Sequence, residues 1–370
     1  MVLAFFFFLN LLLVYAVFAI YAERKIAAFI QDRLGPTEVG PFGLLQTVAD
    51  LLKLLQKEDI VPLAADRLLF YLAPVVIFAG VMAGFAVVPL PPTFQGSAAE
   101  VGVFYLLAIV SLDVLGVLMA GWGSNNKFSV YGAMRAVAQI ISYEIPLGIA
   151  VLCVVMVSQS LNLQEISWQQ GIWAGTALEG ARATTVNYLF GIKATGIDIT
   201  HVGGFLTWNI FRVPLLFLAF IMFFISSLAE ANRAPFDLPE SESELIGGYH
   251  TEYSGFRWAL FMLSEYGMML LVSMLASVLF LGGWNTLLPN LGPLELASWT
   301  SGMPGTWAAH LWGAFWLLSK TFVLVFLQMW ARWTYPRMRV DQLMSLCWKY
   351  LIPLGLVLLA GCGVWRLLMI

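Results

Sequence analysis

Eight apolar stretches, each near the length of a bilayer-crossing helix, constrain this 370-residue chain more than any other feature. A spanning helix needs about 20 mainly apolar residues. The stretches 2–22, 68–90, 101–123, 136–157, 213–229, 258–283, 308–331 and 346–369 meet or approach that length. The fifth is short, and its start is expected upstream, near Phe205, giving 205–229. The alternation that marks a β-barrel strand is absent. Composition agrees, because 60% of residues are hydrophobic and only 11% charged, with a mean hydropathy of +0.84. Such a surface is not kept in water, whereas lipid accepts it without burial against protein. The expected fold is a single all-α integral membrane domain over 1–370. The first apolar run has no basic region before it and no small-residue cleavage site, so it reads as a retained span.

Lysine and arginine set the orientation. Of the 19 basic residues, 14 fall in the loops after spans one, three, five and seven. Those loops are expected on the cytoplasmic side, with both termini on the periplasmic side. The first of them contains an amphipathic helix over about 44–57. Leu44, Val48, Leu51, Leu52 and Leu55 share one face, and Gln46, Asp50, Lys53 and Lys57 the other. Such a helix can lie in the membrane interface, cap a cavity or dock a soluble partner. The net charge of −3, with no basic run, argues against nucleic acid. Cys153, Cys347 and Cys362 lack the spacing of an iron–sulfur or zinc ligand set and are expected as small buried hydrophobes.

Ionised groups at the bilayer centre cost roughly 2.5–3.5 kcal/mol even on the mildest scale. Asp113, Glu144, Glu265 and Lys320 nevertheless lie within spans three, four, six and seven. Together they suggest a polar path through the bundle, with Lys320 the natural counter-charge of one carboxylate. His310 and Arg366 lie nearer helix ends, where snorkelling accounts for them. After span five comes an acidic loop, 230–257, in which Glu230, Asp237, Glu240, Glu242, Glu244 and Glu252 fall within 23 residues. Closely spaced carboxylates in a low dielectric share protons and titrate as a group. Arg233 and His250 are their basic company. Pro235, Pro239, Gly247 and Gly248 with Phe236, Tyr249 and Tyr253 suggest a packed loop.

That loop, RAPFDLPESESELIGGYHTEYSG (233–255), resembles the signature of the quinone-chamber membrane subunit of respiratory complex I, the family of H-type subunits of NADH:quinone oxidoreductases. AERK (22–25), DRLGP (32–36), GPFGLLQTVADLLKLLQKED (40–59), GWGSNNK (121–127), RAVAQIISYEIPL (135–147) and YPRMRVDQLM (335–344) resemble further blocks of that family, in the same order. The resemblance implies a translocase subunit of the bacterial inner membrane with no redox cofactor of its own. FMN and iron–sulfur clusters would sit on hydrophilic partner subunits on the cytoplasmic side. Small and antiporter-like membrane subunits, lipid quinone as substrate and membrane lipids complete its company. Carried over by position, Glu23 and Arg24 would line the quinone mouth. Arg33, Asp50, Lys53, Arg337, Arg339 and Asp341 would line or support the chamber, and Asp237, Glu240, Glu242, Glu244 and Glu252 would form its acidic wall. Glu144, Glu230 and Glu265 would belong to the proton path, with Lys320 as its basic residue.

Two features depart from the family pattern. Segment 158–204 is long, and Glu165, Trp168, Trp173, Glu179 and Arg182 have no assigned role there; short helices on the outer surface are expected. Asp113 is not a general family feature, and it either extends the polar path or pairs statically. An equivalent subunit of a membrane-bound hydrogenase, or of a complex fed by ferredoxin or a deazaflavin, is the alternative within the superfamily. A stand-alone transporter would instead show broken spans in repeated halves, and a pure scaffold gives no reason for four deep charges.

Overall fold

The computed structural model describes the chain apart from residues 1, 91–95, 98, 175–185, 194–195, 239–244, 291–292, 304 and 370, and the side chains of 2–4. Helix α1 (Val2–Ile30) leads through a loop to the amphipathic α2 (Gln46–Gln56). Then come α3 (Arg67–Phe85), the pair α4 (Gly102–Val110) and α5 (Leu112–Gly123), and α6 (Lys127–Ser158). Short helices α7 (Leu163–Gln169) and α8 (Asn209–Arg212) precede α9 (Pro214–Glu230). The last third holds α10 (Gly255–Phe280), α11 (Leu296–Ser301), α12 (Trp307–Thr334), α13 (Val340–Ser345) and α14 (Ile352–Met369). Among the described residues, seven helices are long and apolar enough to cross a membrane, and α9 is a shorter apolar one. The chain is an all-α, multi-pass integral membrane protein.

Each helix end has a local cause. Asp66 starts α3 by accepting from the Leu68 and Leu69 amides at 3.1 and 3.4 Å, satisfying donors that have no helical partner. Asn126 caps α6 in the same way, at 3.0 Å from the Phe128 amide. The region upstream of α9 is not one helix from Phe205. Gly204–Thr207 is a 3₁₀ turn, α8 is a single turn, and Val213 is extended at φ −126° and ψ 113°. Pro214 explains the break, because its ring disfavours helical geometry in the residue before it.

Helix α10 is the axis of the bundle, and every residue from Tyr266 to Phe280 is buried. It packs on α3, α9 and α12, while α6 packs on α5, α9 and α14. Close approach rests on small residues, as in other membrane bundles. A methyl group at Gly116 would stand 2.2 Å from Ile77, and one at Gly132 would stand 2.8 Å from the Gly248 backbone. Leu44, Val48, Leu51, Leu52 and Leu55 remain exposed, so the apolar face of α2 is turned away from the protein. Its polar face meets α1.

Candidate functional site

Consecutive helix residues point about 100° apart, so Glu23 and Arg24 at the end of α1 have opposite fates. Glu23 is only 5% exposed. Arg233 Nη1 lies 3.3 Å from both its oxygens, Arg332 Nη1 reaches Oε1, and the Tyr266 hydroxyl donates to Oε2 at 2.5 Å. The Arg233 guanidinium also lies 4.4 Å over the Tyr266 ring, a favourable contact for a cation. This knot joins α1, the segment after α9, α10 and α12. Arg24 is exposed and pairs with Asp50 of α2 at 2.5 Å, and Asp50 also accepts from Gln46 at 3.0 Å. Arg33 and Lys53 are exposed on the same side.

The acidic loop is tied down at both ends. Asp237 accepts from Arg337 at 2.9 Å, and the Met338 amide donates to the Pro235 carbonyl at 3.1 Å. Asn126, besides capping α6, donates to Glu252 at 2.5 Å. Tyr249 reaches Glu265 at 3.4 Å. Tyr253 stacks on Phe70 at 4.0 Å and donates to its carbonyl at 3.1 Å. Burial pushes that hydroxyl above the ordinary phenol range, against the pull of Arg257, so it remains a donor. Arg339 and Asp341 are exposed at the start of α13. Glu240, Glu242 and Glu244 lie outside the described residues, as do Glu179 and Arg182.

Deeper in the bundle, α5, α6 and α9 bring Asp113, Glu144 and Glu230 together. The Glu144 charge acts on both Asp113 and Glu230, while the Ser111 hydroxyl donates to the Leu107 carbonyl at 3.1 Å. Glu230 is 2% exposed, and one oxygen of each glutamate is buried without a hydrogen-bond partner. Among the described residues none of these three carboxyls is in an ion pair, and the charges that act on Asp113 and Glu230 are those of other acids in the group. Asp113 therefore stands in an acidic group rather than in an ion pair. Glu265 sits apart from it, on Tyr249.

Lys320 is not a counter-charge to any carboxylate among the described residues. Its ammonium donates to the carbonyls of Leu281, Gly283 and Asn285 at 2.7, 2.8 and 2.6 Å, and lies 4.4 Å from the Trp208 ring centre. The physical reason is the turn just past α10, which directs the carbonyls of 281, 283 and 285 at the ammonium beside the negative end of the helix dipole. Gln170 and Asn209 complete the seal, donating to Val278 and Leu279 at 3.0 and 2.8 Å. The long segment after α6 thus supplies the cap of α10. Of its other residues, Glu165 accepts from Ser160 at 2.6 Å, and Trp168 and Trp173 are half-buried. All three cysteines are buried and free.

A 570 Å³ groove runs between α1, α10 and α12, lined by Val14, Tyr15, Phe18, Ala22, Leu270, Phe322 and Met329 among others. Ala22, Leu270 and Met329 each lie within about one helical turn of Glu23, Tyr266 or Arg332, so one end of the groove reaches the knot. Tyr15 places a buried hydroxyl without a hydrogen-bond partner on its wall. Sequence reasoning missed Arg332, which counted only as a loop charge, and Tyr266. Neither carries a local signal; helix rotation alone aims them at Glu23.

Apolar helices enclosing buried carboxyls, a charged knot and an apolar groove define a multi-pass membrane protein with charged groups inside its bundle. Residues 2–362 match the family model described as NADH dehydrogenase. The chain is 61% identical to the H 2 subunit of the NADH-quinone oxidoreductase of Cytophaga hutchinsonii, with 97% of each chain covered. It is 51% identical to the NADH-quinone oxidoreductase H subunit of Chlorobaculum parvum, over 94% of this chain and 87% of that one. Identity to the protein of the same name from Bacillus cytotoxicus is 45%, over 95% and 91%. The chain belongs to the NADH dehydrogenase family.

Proposed function

We propose that this chain is the membrane subunit of a proton-pumping NADH:quinone oxidoreductase that forms the quinone-access chamber and the carboxylate path to proton translocation. Its redox cofactors reside on hydrophilic partner subunits on the cytoplasmic side, and antiporter-like subunits adjoin it in the plasma membrane. Both termini face the periplasm. The observation that carries the reading is the groove between α1, α10 and α12, which ends beside the Glu23 knot. An apolar trough suits the prenyl tail of a lipid quinone, and the polar end suits its head group. In this reading Arg24, Asp50, Arg33 and Lys53 border the mouth, with Arg337, Arg339 and Asp341 supporting the chamber. Asp237, Glu240, Glu242, Glu244 and Glu252 form its acidic wall. Glu23 anchors the helices around it.

Reducing the quinone generates the equivalent of a dianion, which takes up two protons. A neighbouring group of partly desolvated carboxyls responds by shifting its shared protons. Glu265 and the group of Asp113, Glu144 and Glu230 carry that response inward, and Lys320 holds the end of α10 fixed meanwhile. The test is quinone reduction by fully assembled complex carrying Glu240→Gln or Glu242→Gln. Slower turnover with normal assembly is expected. Wild-type turnover in fully assembled mutant complex would remove the acidic wall.

A further inference from the structure

A second pair of charges, at the other end of the bundle, takes no part in this scheme. Helices α9 and α14 run antiparallel, and two close approaches fix their register. A methyl group at Gly355 would stand 3.1 Å from Met222, and one at Gly361 would stand 3.2 Å from Leu215. Continuing that register past Gly361 brings Arg366, in the last turn of α14, to the level of Arg212, just before α9. Their charges do act on each other. Arg212 is 4% exposed, yet its Nε has no hydrogen-bond partner. The indole N–H of Trp365, beside Arg366, is also buried without an acceptor. Among the described residues no carboxylate acts on either arginine.

Two arginines held together without an anion repel, and a buried guanidinium whose Nε has no hydrogen-bond partner among the described residues is costly. Both penalties vanish when an anion sits between them. The adjacent N-terminus of the 17-residue α9, opened by Pro214, points the positive end of its dipole at the same place. Arginine's planar fork matches phosphate oxygens in pairs. Around the arginines, Phe211, Phe217, Leu218, Leu367 and Leu368 expose apolar side chains, a surface for acyl chains that a free ion would not need. We propose that Arg212, Arg366 and the start of α9 form a binding site for the phosphate of an acidic phospholipid, at the end of the bundle opposite the Glu23 knot.

The test uses the whole complex in lipid nanodiscs with a photoactivatable phosphatidylglycerol. Label is expected on peptides covering 209–218 and 361–369, displaced by unlabelled phosphatidylglycerol but not by phosphatidylcholine. Arg366→Gln should lower that labelling about tenfold, as expected for loss of one charge-assisted contact, with Arg366→Lys in between. Absence of label from both peptides overturns the proposal, as does labelling unchanged by Arg366→Gln. Displacement by inorganic phosphate as effective as by the lipid would assign the site to a free anion and overturn the lipid. Should the variants fail to assemble, the wild-type competition decides, and equal displacement by phosphatidylcholine refutes the site.

Discussion

Glu23 and Glu230 are both carboxylates buried in a membrane bundle, and their surroundings are opposites. Around Glu23 stand two arginines and a tyrosine hydroxyl, so its charge is answered on every side. Among the described residues the charged groups that act on Glu230 are Glu144 and Asp113, and one of its oxygens has no hydrogen-bond partner. A charge answered by two cations is fixed, and removing it breaks both ion pairs. Carboxyls whose charged neighbours are other carboxyls exchange protons as a set. In the proposed function, the contrast separates what holds the helices from what changes state during turnover. It also explains why the knot joins four elements of the chain while the acidic group lines only α5, α6 and α9.

Substitutions can break this contrast, and the largest effect is expected at the knot. Glu23→Gln removes the carboxylate that Arg233 and Arg332 share, which costs about 3–5 kcal/mol for a broken buried pair. Little assembled complex should then accumulate in membranes, read on a native gel. Normal accumulation would show that the knot does not hold the bundle. Next comes Lys320→Met, which strips three carbonyls of their donor at the end of α10. A loss of about 3 kcal/mol is expected from unsatisfied buried acceptors, seen as a lower melting temperature of the complex. An unchanged melting temperature would return Lys320 to the role of a counter-charge. The smallest effect is expected at Arg24→Gln. The Arg24–Asp50 pair is exposed and worth about 0–1 kcal/mol, so stability should barely move while the apparent KM for quinone rises. A large stability loss with KM unchanged would make α2 a structural brace.

Most of the architecture was legible in the sequence, because a bilayer tolerates little besides long apolar helices. The break at Val213–Pro214 was missed: hydropathy alone runs span five on from 205 and does not register the break that the proline imposes. Acidic residues were visible as unusual; which of them lie in ion pairs and which lie among other acids was not. Glu23 lies beside Arg24 in sequence, and only the rotation of α1 sends one inward and the other toward α2. Lys320 reads as a partner for an acid because nothing in sequence marks where the turn past α10 directs its carbonyls. Arg212 and Arg366 are 154 positions apart and meet only through the packing of α9 on α14.

The most direct test of the distinction is the number of protons moved per NADH oxidised by proteoliposomes containing the Glu230→Gln complex. The substitution keeps size and removes only the titrating oxygen, so the complex should assemble at wild-type levels. Pumping should then fall further than electron transfer, lowering the ratio. A ratio equal to wild type in fully assembled complex would contradict the account and leave Glu230 a buried packing residue.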